Sequence, residues 1–124
     1  MKKFIYLAGP YSHKNKSIMA YRRFMLTQVA AHYCKQGAHV HSPITESAAY
    51  QTEAGMEGTW EQWSERDKLI LDRCDYMIVL MLPGWDKSVG VRSELEHAEL
   101  IGLRVFYLDP KSMISKIFES EYVS

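Results

Sequence analysis

The sequence predicts an open, mostly parallel α/β sheet with helices on both faces, of the Rossmann or flavodoxin kind. Three observations carry that prediction. Short apolar runs alternate with segments of helical periodicity along the chain. The run "YMIVLML" (76–82) is apolar without alternation, as expected of a strand covered on both faces. Gly37 and Gly102 stand where two of the helices should stop.

Each element follows from its own pattern. "KFIYLAG" (3–9) is a short apolar and aromatic run closed by Gly9-Pro10, a strand followed by a turn. From Lys16 to Gln36, Ile18, Tyr21, Met25, Val29 and Tyr33 recur at helical spacing. "AHVHS" (38–42) reads as a second strand closed by Pro43, and 44–59 reads as irregular chain because of Gly55 and Gly58. A second helix is expected from Trp60 to Arg73, capped by Thr59, with Glu61 near its positive end. After "YMIVLML" come the loop "PGWDKS", a third helix to Ile101 and a fourth strand, "RVFYL" (104–108). A short final helix is expected beyond Asp109. The expected strand order is 2-1-3-4, which places the ligand crevice between strands one and three. "GPYSH" and "LPGWDKS" would line it, bringing Gly9, Pro10, Ser12 and His13 to one side and Trp85 and Ser88 to the other.

Composition narrows the function classes. A chain of 124 residues suits one domain spanning 1–124, with a core that needs no disulfide staples. Basic and acidic residues balance at 15 each, and no basic stripe occurs, which argues against a nucleic-acid polymer as partner. No apolar run approaches membrane-spanning length, and "FIYLAG" is too short for a signal core. Cys34 and Cys74 lack metal-type spacing, so a reduced, cytoplasmic protein is the expectation. His39 and His41 share a strand face but have no third ligand in sequence with them, so no metal is expected. "GPYSHKNKS" lacks the Gly-Lys-Ser/Thr ending of a phosphate-binding P-loop.

The stretch "SVGVRSELEHAEL" (88–100) holds the chemistry-bearing pattern. Ser88 is a plausible helix cap, Gly90 permits close backbone approach, and first-turn amides can hold an anion. Glu94 lies beside the apolar face marked by Val91, Leu95, Ala98 and Ile101, near the crevice mouth. The positive helix end should favour its ionised form, able to attack an electrophilic sugar carbon. The ordinary alternative is a solvated helical glutamate. Asp67, late in the second helix, is the candidate proton donor if burial raises its pKa. Asp72 and Asp75 compete for that role. Two carboxylates with separate tasks are the usual means of breaking a glycosidic bond. Trp85 is a candidate for stacking on a base, or else for covering the sheet edge or a subunit contact. Ser42 and Ser47, around "SPITES", are candidates for lining a base pocket.

"IYLAGPYS", "RDKLILDRCDYMIVL" and "SVGVRSELEHAELIGLRVFYL" resemble the nucleoside 2-deoxyribosyltransferase family, whose superfamily includes 2'-deoxynucleoside 5'-monophosphate N-glycosidases. The resemblance covers most of residues 3–108. It implies that Glu94 is a nucleophile toward the sugar C1' and that Asp67 assists departure of the base. It implies further that Ser88 binds a 5'-phosphate, that Tyr6 positions the glutamate or the sugar, and that Gly9 lies where backbone meets ligand. It also implies a homo-oligomer and no cofactor. The nucleotide-cleaving relatives carry an arginine after the first-loop glycine. Here "GPYSHKNKS" leaves His13 or Lys14 to meet a phosphate, and the tail "KSMISKIFESEYVS" has no clear counterpart.

The function expected is therefore an N-glycosidase or N-(deoxy)ribosyl transferase acting on a small nucleoside or nucleoside 5'-monophosphate. The alternative is a nucleotide-binding protein, a sensor or sponge, that uses the same crevice without chemistry. A phosphoribohydrolase ranks below both, because its Gly-Gly-x-Gly-Thr turn is absent from "GWDKSVGV".

Overall fold

The computed structural model describes residues 3–119. Its four strands are β1 (Phe4–Ala8), β2 (His39–His41), β3 (Tyr76–Leu80) and β4 (Arg104–Leu108). They form one parallel sheet in the order β2-β1-β3-β4. The helices are α1 (Lys16–Lys35), α2 (Pro43–Ala54), α3 (Trp60–Leu71), α4 (Val89–Ile101) and α5 (Pro110–Ile114). A turn of π-helix, Ser115–Glu119, follows α5.

Strand alternation divides the core between the two faces of the sheet. Ile5 and Leu7 of β1, with Ile78 and Leu80 of β3, pack under Met25, Leu26 and Val29 of α1 and Met113 of α5. Tyr6 and Ala8, with Met77 and Val79, face the other way, against Leu71 of α3 and Val91 and Ala98 of α4. Each such fully buried aliphatic side chain contributes about 1.5–3 kcal/mol, so β1 and β3 are the anchored centre of the molecule. The same alternation sends Tyr6 toward α3 and α4, the helices that carry Asp67 and Glu94. Side chains also tie elements together. Asp75 accepts the Phe4 N–H at 2.7 Å, and His97 of α4 meets Asp72 at 2.7 Å, beyond the end of α3.

Three expectations change. The segment expected to be irregular contains α2, started by Ser42-Pro43 and stopped by Gly55 in the left-handed conformation. Proline suits the first helical turn, and "PITESAAYQTEA" carries no other breaker. Ile18 and Tyr21 of α1 are exposed at the crevice; Arg22 takes the buried position beside Met25, Leu26 and Val29. Ile101 is exposed rather than part of the buried face of α4. Among the described residues, no helix is long and apolar enough to cross a membrane.

Candidate active site

The loops after β1 and β3 open onto a pocket of about 1020 Å³ at the carboxyl ends of the strands. A mononucleotide fits a volume of that order. Gly9, Pro10, Ser12 and His13 line one side, and Ser88, Gly90 and Glu94 line the side formed by the loop after β3 and the start of α4. Asp67 closes it from α3.

Helical spacing explains why these two carboxyls face inward. Glu94 is three residues after Val91 and four before Ala98, both buried against the sheet. Asp67 follows Trp63 by four residues and precedes the buried Leu71 by four. Ser88 caps α4 by accepting the Val91 N–H at 3.2 Å. Asp72 and Asp75, the competitors for the acid role, are taken by His97 and by the β1 amide, and neither lines the pocket.

Tyr6 lies beneath the pocket floor, fully buried, and its hydroxyl donates a hydrogen bond to Glu94 Oε2. It therefore acts on Glu94 from below. Burial pushes the Glu94 carboxyl up to about 8, against the opposing pull of the Tyr6 hydrogen bond, and the nearby Asp67 adds to the rise. Burial also lifts Asp67 to about 6, while the Arg66 guanidinium pulls the other way. The expectation that the helix end keeps Glu94 ionised is thus overturned: the cost of removing its charge from water outweighs a dipole worth about 0.3–1 kcal/mol. Together the two groups hold one proton between about pH 6 and about 8. Tyr6 itself is raised well above its ordinary value by burial and by the two carboxylates, so it stays a phenol.

In Tyr6→Phe, Glu94 loses the hydrogen bond that favours its ionised form. Its titration, followed by carboxyl carbon-13 NMR, moves further above pH 8. Stability falls by only about 1 kcal/mol, because the ring stays in place.

Several other assignments change. Trp85 does not line the pocket; it packs on Tyr107 and against the α3–α4 side of the core. Its loop turns back through a short helical turn (Trp85–Lys87), so the indole covers the sheet edge. Ser42 is buried, with its hydroxyl 2.9 Å from that of Thr45, and stays outside the pocket; Ser47 lines it. Gly9 is required by packing: a Cβ there would meet Leu26 Cδ2 of α1 at 2.7 Å. At Gly90 a Cβ would meet only Ser88 Oγ, at 3.8 Å, so the room beside Gly90 belongs to the pocket.

The pocket also contains residues that sequence reasoning missed. The missed Trp60 and Trp63 share one face of α3 with Asp67, and the missed Ile44 and Gln51 share one face of α2 with Ser47. That spacing was a readable signal. Arg22 was not so readable. It is 8% exposed, and its guanidinium donates to the carbonyls of Tyr11, Ser12 and Pro83, joining the two crevice loops. Among the described residues no carboxylate pairs with it.

No curated protein matches the chain. Residues 3–109 match the model of a family described as a domain of unknown function (DUF1937). That span runs from β1 through β4 and contains Tyr6, Asp67 and Glu94, so the chain belongs to the DUF1937 family, candidate site included.

Proposed function

We propose that this chain is a branch of the nucleoside 2-deoxyribosyltransferase-like superfamily that cleaves the base–sugar bond of a nucleoside 5'-monophosphate. The observation that carries the reading is the carboxyl pair Asp67 and Glu94 at one pocket, with Tyr6 bonded to Glu94 from beneath. A solvated glutamate would need neither the buried phenol nor the inward helix face.

In this reading a Glu94 oxygen attacks C1', the C1'–N bond breaks, and its electron pair leaves with the base, which takes the proton of Asp67. The sugar is then held as an ester on Glu94. Water attacks C1' and gives a proton to the Asp67 carboxylate; Glu94 departs, and the configuration at C1' is retained after two displacements. A second base in place of water makes the same chemistry a transfer. The pair's single proton has to sit on Asp67 for the first step. The Tyr6 hydrogen bond and the positive charge developing on the sugar both favour Glu94 as the ionised member.

The pocket lining holds groups suited to both parts of a nucleotide. Trp60 and Trp63 offer aromatic surface on the helix that carries Asp67, and Gln51 offers an amide donor and acceptor from α2. Arg22, Lys68 and Lys87 are the fixed cations of the lining, in a protein of zero net charge. Arg22 spends three of its five N–H groups on loop carbonyls and keeps two. It thus supplies the charge expected of His13 or Lys14, and the first-turn amides of α4 beside Ser88 suit the same anion.

The test is incubation with ribo- and deoxyribonucleosides and their 5'-monophosphates, with free base measured by liquid chromatography and mass spectrometry. Base release from a monophosphate, and much less from the matching nucleoside, is the expected result. A monophosphate that binds and is recovered intact would replace this reading with that of a nucleotide-binding protein.

A further inference from the structure

Behind Asp67 lies a charged chain that the chemistry above does not use. Glu46 of α2 accepts a hydrogen bond from Arg66 Nη2 at 2.7 Å, and its other oxygen lies 3.1 Å from His41 Nδ1 of β2. Tyr50, one turn further along α2, donates to Glu46 at 3.2 Å, and the Arg66 guanidinium sits over the Tyr50 ring. The His41 ring meets the Tyr6 ring with centroids 5.6 Å apart. Side chains from β2, α2 and α3 therefore converge on Glu46, and the residue next to Arg66 in sequence is the acid itself.

The charges around Asp67 come from every element packed there. Arg66 and the pocket-lining Lys68 share its helix, Glu46 comes from α2, Tyr6 from β1 and Glu94 from α4. His41 faces Glu46 from β2, and burial holds it below its ordinary value, so it is neutral at pH 7 and adds no charge. Burial raises Asp67 most, and Arg66 is the cation that pulls it the other way. Glu46 opposes it.

We propose that Glu46 is a positioning residue for the acid: by gripping Arg66 through Nη2 and bracing against His41, it holds the guanidinium and offsets its charge beside Asp67. Glu46 touches no reacting atom; it acts through Arg66. The proposal rests on the reading of Asp67 as the proton donor. An acid meant only to be an anion would be better served by an Arg66 left free.

Two substitutions move the acid in opposite directions. Glu46→Gln leaves Arg66 uncompensated, so Asp67 titrates lower, by about one pH unit. Arg66→Gln removes the cation and leaves Glu46, so Asp67 titrates higher by a similar amount. The double variant returns close to the wild type. Both side chains are partly solvated, so the fold survives each change. The readout is carboxyl carbon-13 NMR of the protein without substrate, the Asp67 signal being identified by its loss in Asp67→Asn. This measurement stands even if no base is ever released. Opposite shifts with restoration in the double variant support the proposal. A purely structural bridge would lower stability in both single variants and leave the Asp67 titration unmoved, and that result would overturn it. Where base release has been measured, the Glu46→Gln rate above pH 6 falls about tenfold for each unit that the acid moves down.

Discussion

Glu94→Gln abolishes base release, by about 10⁴-fold or more, and at the same time stabilises the protein at alkaline pH. On the proposed mechanism the loss in rate follows from removing the atom that would form the bond to C1'; the amide neither attacks nor carries the sugar. The gain in stability follows from burial. Glu94 titrates at about 8 in the folded protein, against 4.5 for an ordinary glutamate. Between those values the folded chain holds a proton that the unfolded chain has released, so wild-type stability declines as pH rises through that window. Glutamine has no proton to lose. Its advantage is absent below about pH 4.5, grows up to about pH 8 and is constant beyond. Because part of the side chain faces the open pocket, the full shift overstates the effect; about 2 kcal/mol is expected at pH 8.5. Thermal melts of both proteins at pH 4.5 and pH 8.5 measure it. An equal Tm difference at the two values would show that Glu94 is an ordinary solvated carboxylate.

Arg22→Met has the second large effect, on both stability and binding. The guanidinium reaches Tyr11 O at 3.3 Å and Ser12 O at 3.0 Å in the loop after β1, and Pro83 O at 2.8 Å in the loop after β3. The fit is close: Gly84 is in the left-handed conformation, and a Cβ on it would meet Arg22 Nη2 at 2.7 Å. Hydrogen bonds from a charged donor are worth about 1.5–3 kcal/mol each. Relief from burying the charge offsets part of their loss, leaving a net cost of about 3 kcal/mol and a fall in Tm of about 10 °C. Both loops become sensitive to proteases, and affinity for a monophosphate disappears. Arg22→Lys does not restore the loops, because one ammonium group cannot span three carbonyls in two directions.

Much of the fold was legible because it depends on patterns that tertiary contacts do not override. The apolar run of β3, the glycine stops after α1 and α4, and the β-α alternation each have one reasonable structural solution. α2 is hidden in the sequence for a local reason: Gly55 and Gly58 read as breakers, although Ser42-Pro43 is itself a helix start. At the site, helix periodicity already sets Glu94 beside the buried face, whereas Asp67 follows from the pairing of two carboxylates and from the resemblance; both line the pocket. Trp85 was misplaced because the direction of a loop side chain is decided by a turn, here the one that lays the indole on Tyr107. Trp60 and Trp63 carried the better signal, their spacing to Asp67 along one helix face. Arg22 could not be read at all. Nothing local distinguishes it from the half-buried Arg23, and only the approach of two distant loops makes it a buried tie. The proton balance of the carboxyl pair was likewise hidden, since it depends on how deeply the fold buries each group.

The proposed reaction turns on a bond between Glu94 and the sugar. The most direct measurement is the anomeric configuration of the product when a cleaved nucleoside 5'-monophosphate reacts in buffer containing methanol, read by proton NMR. Attack by Glu94 followed by methanol predicts the methyl glycoside with the β configuration of the starting nucleotide. The α anomer would mean that methanol attacks directly and that Glu94 is at most a base, which contradicts the account.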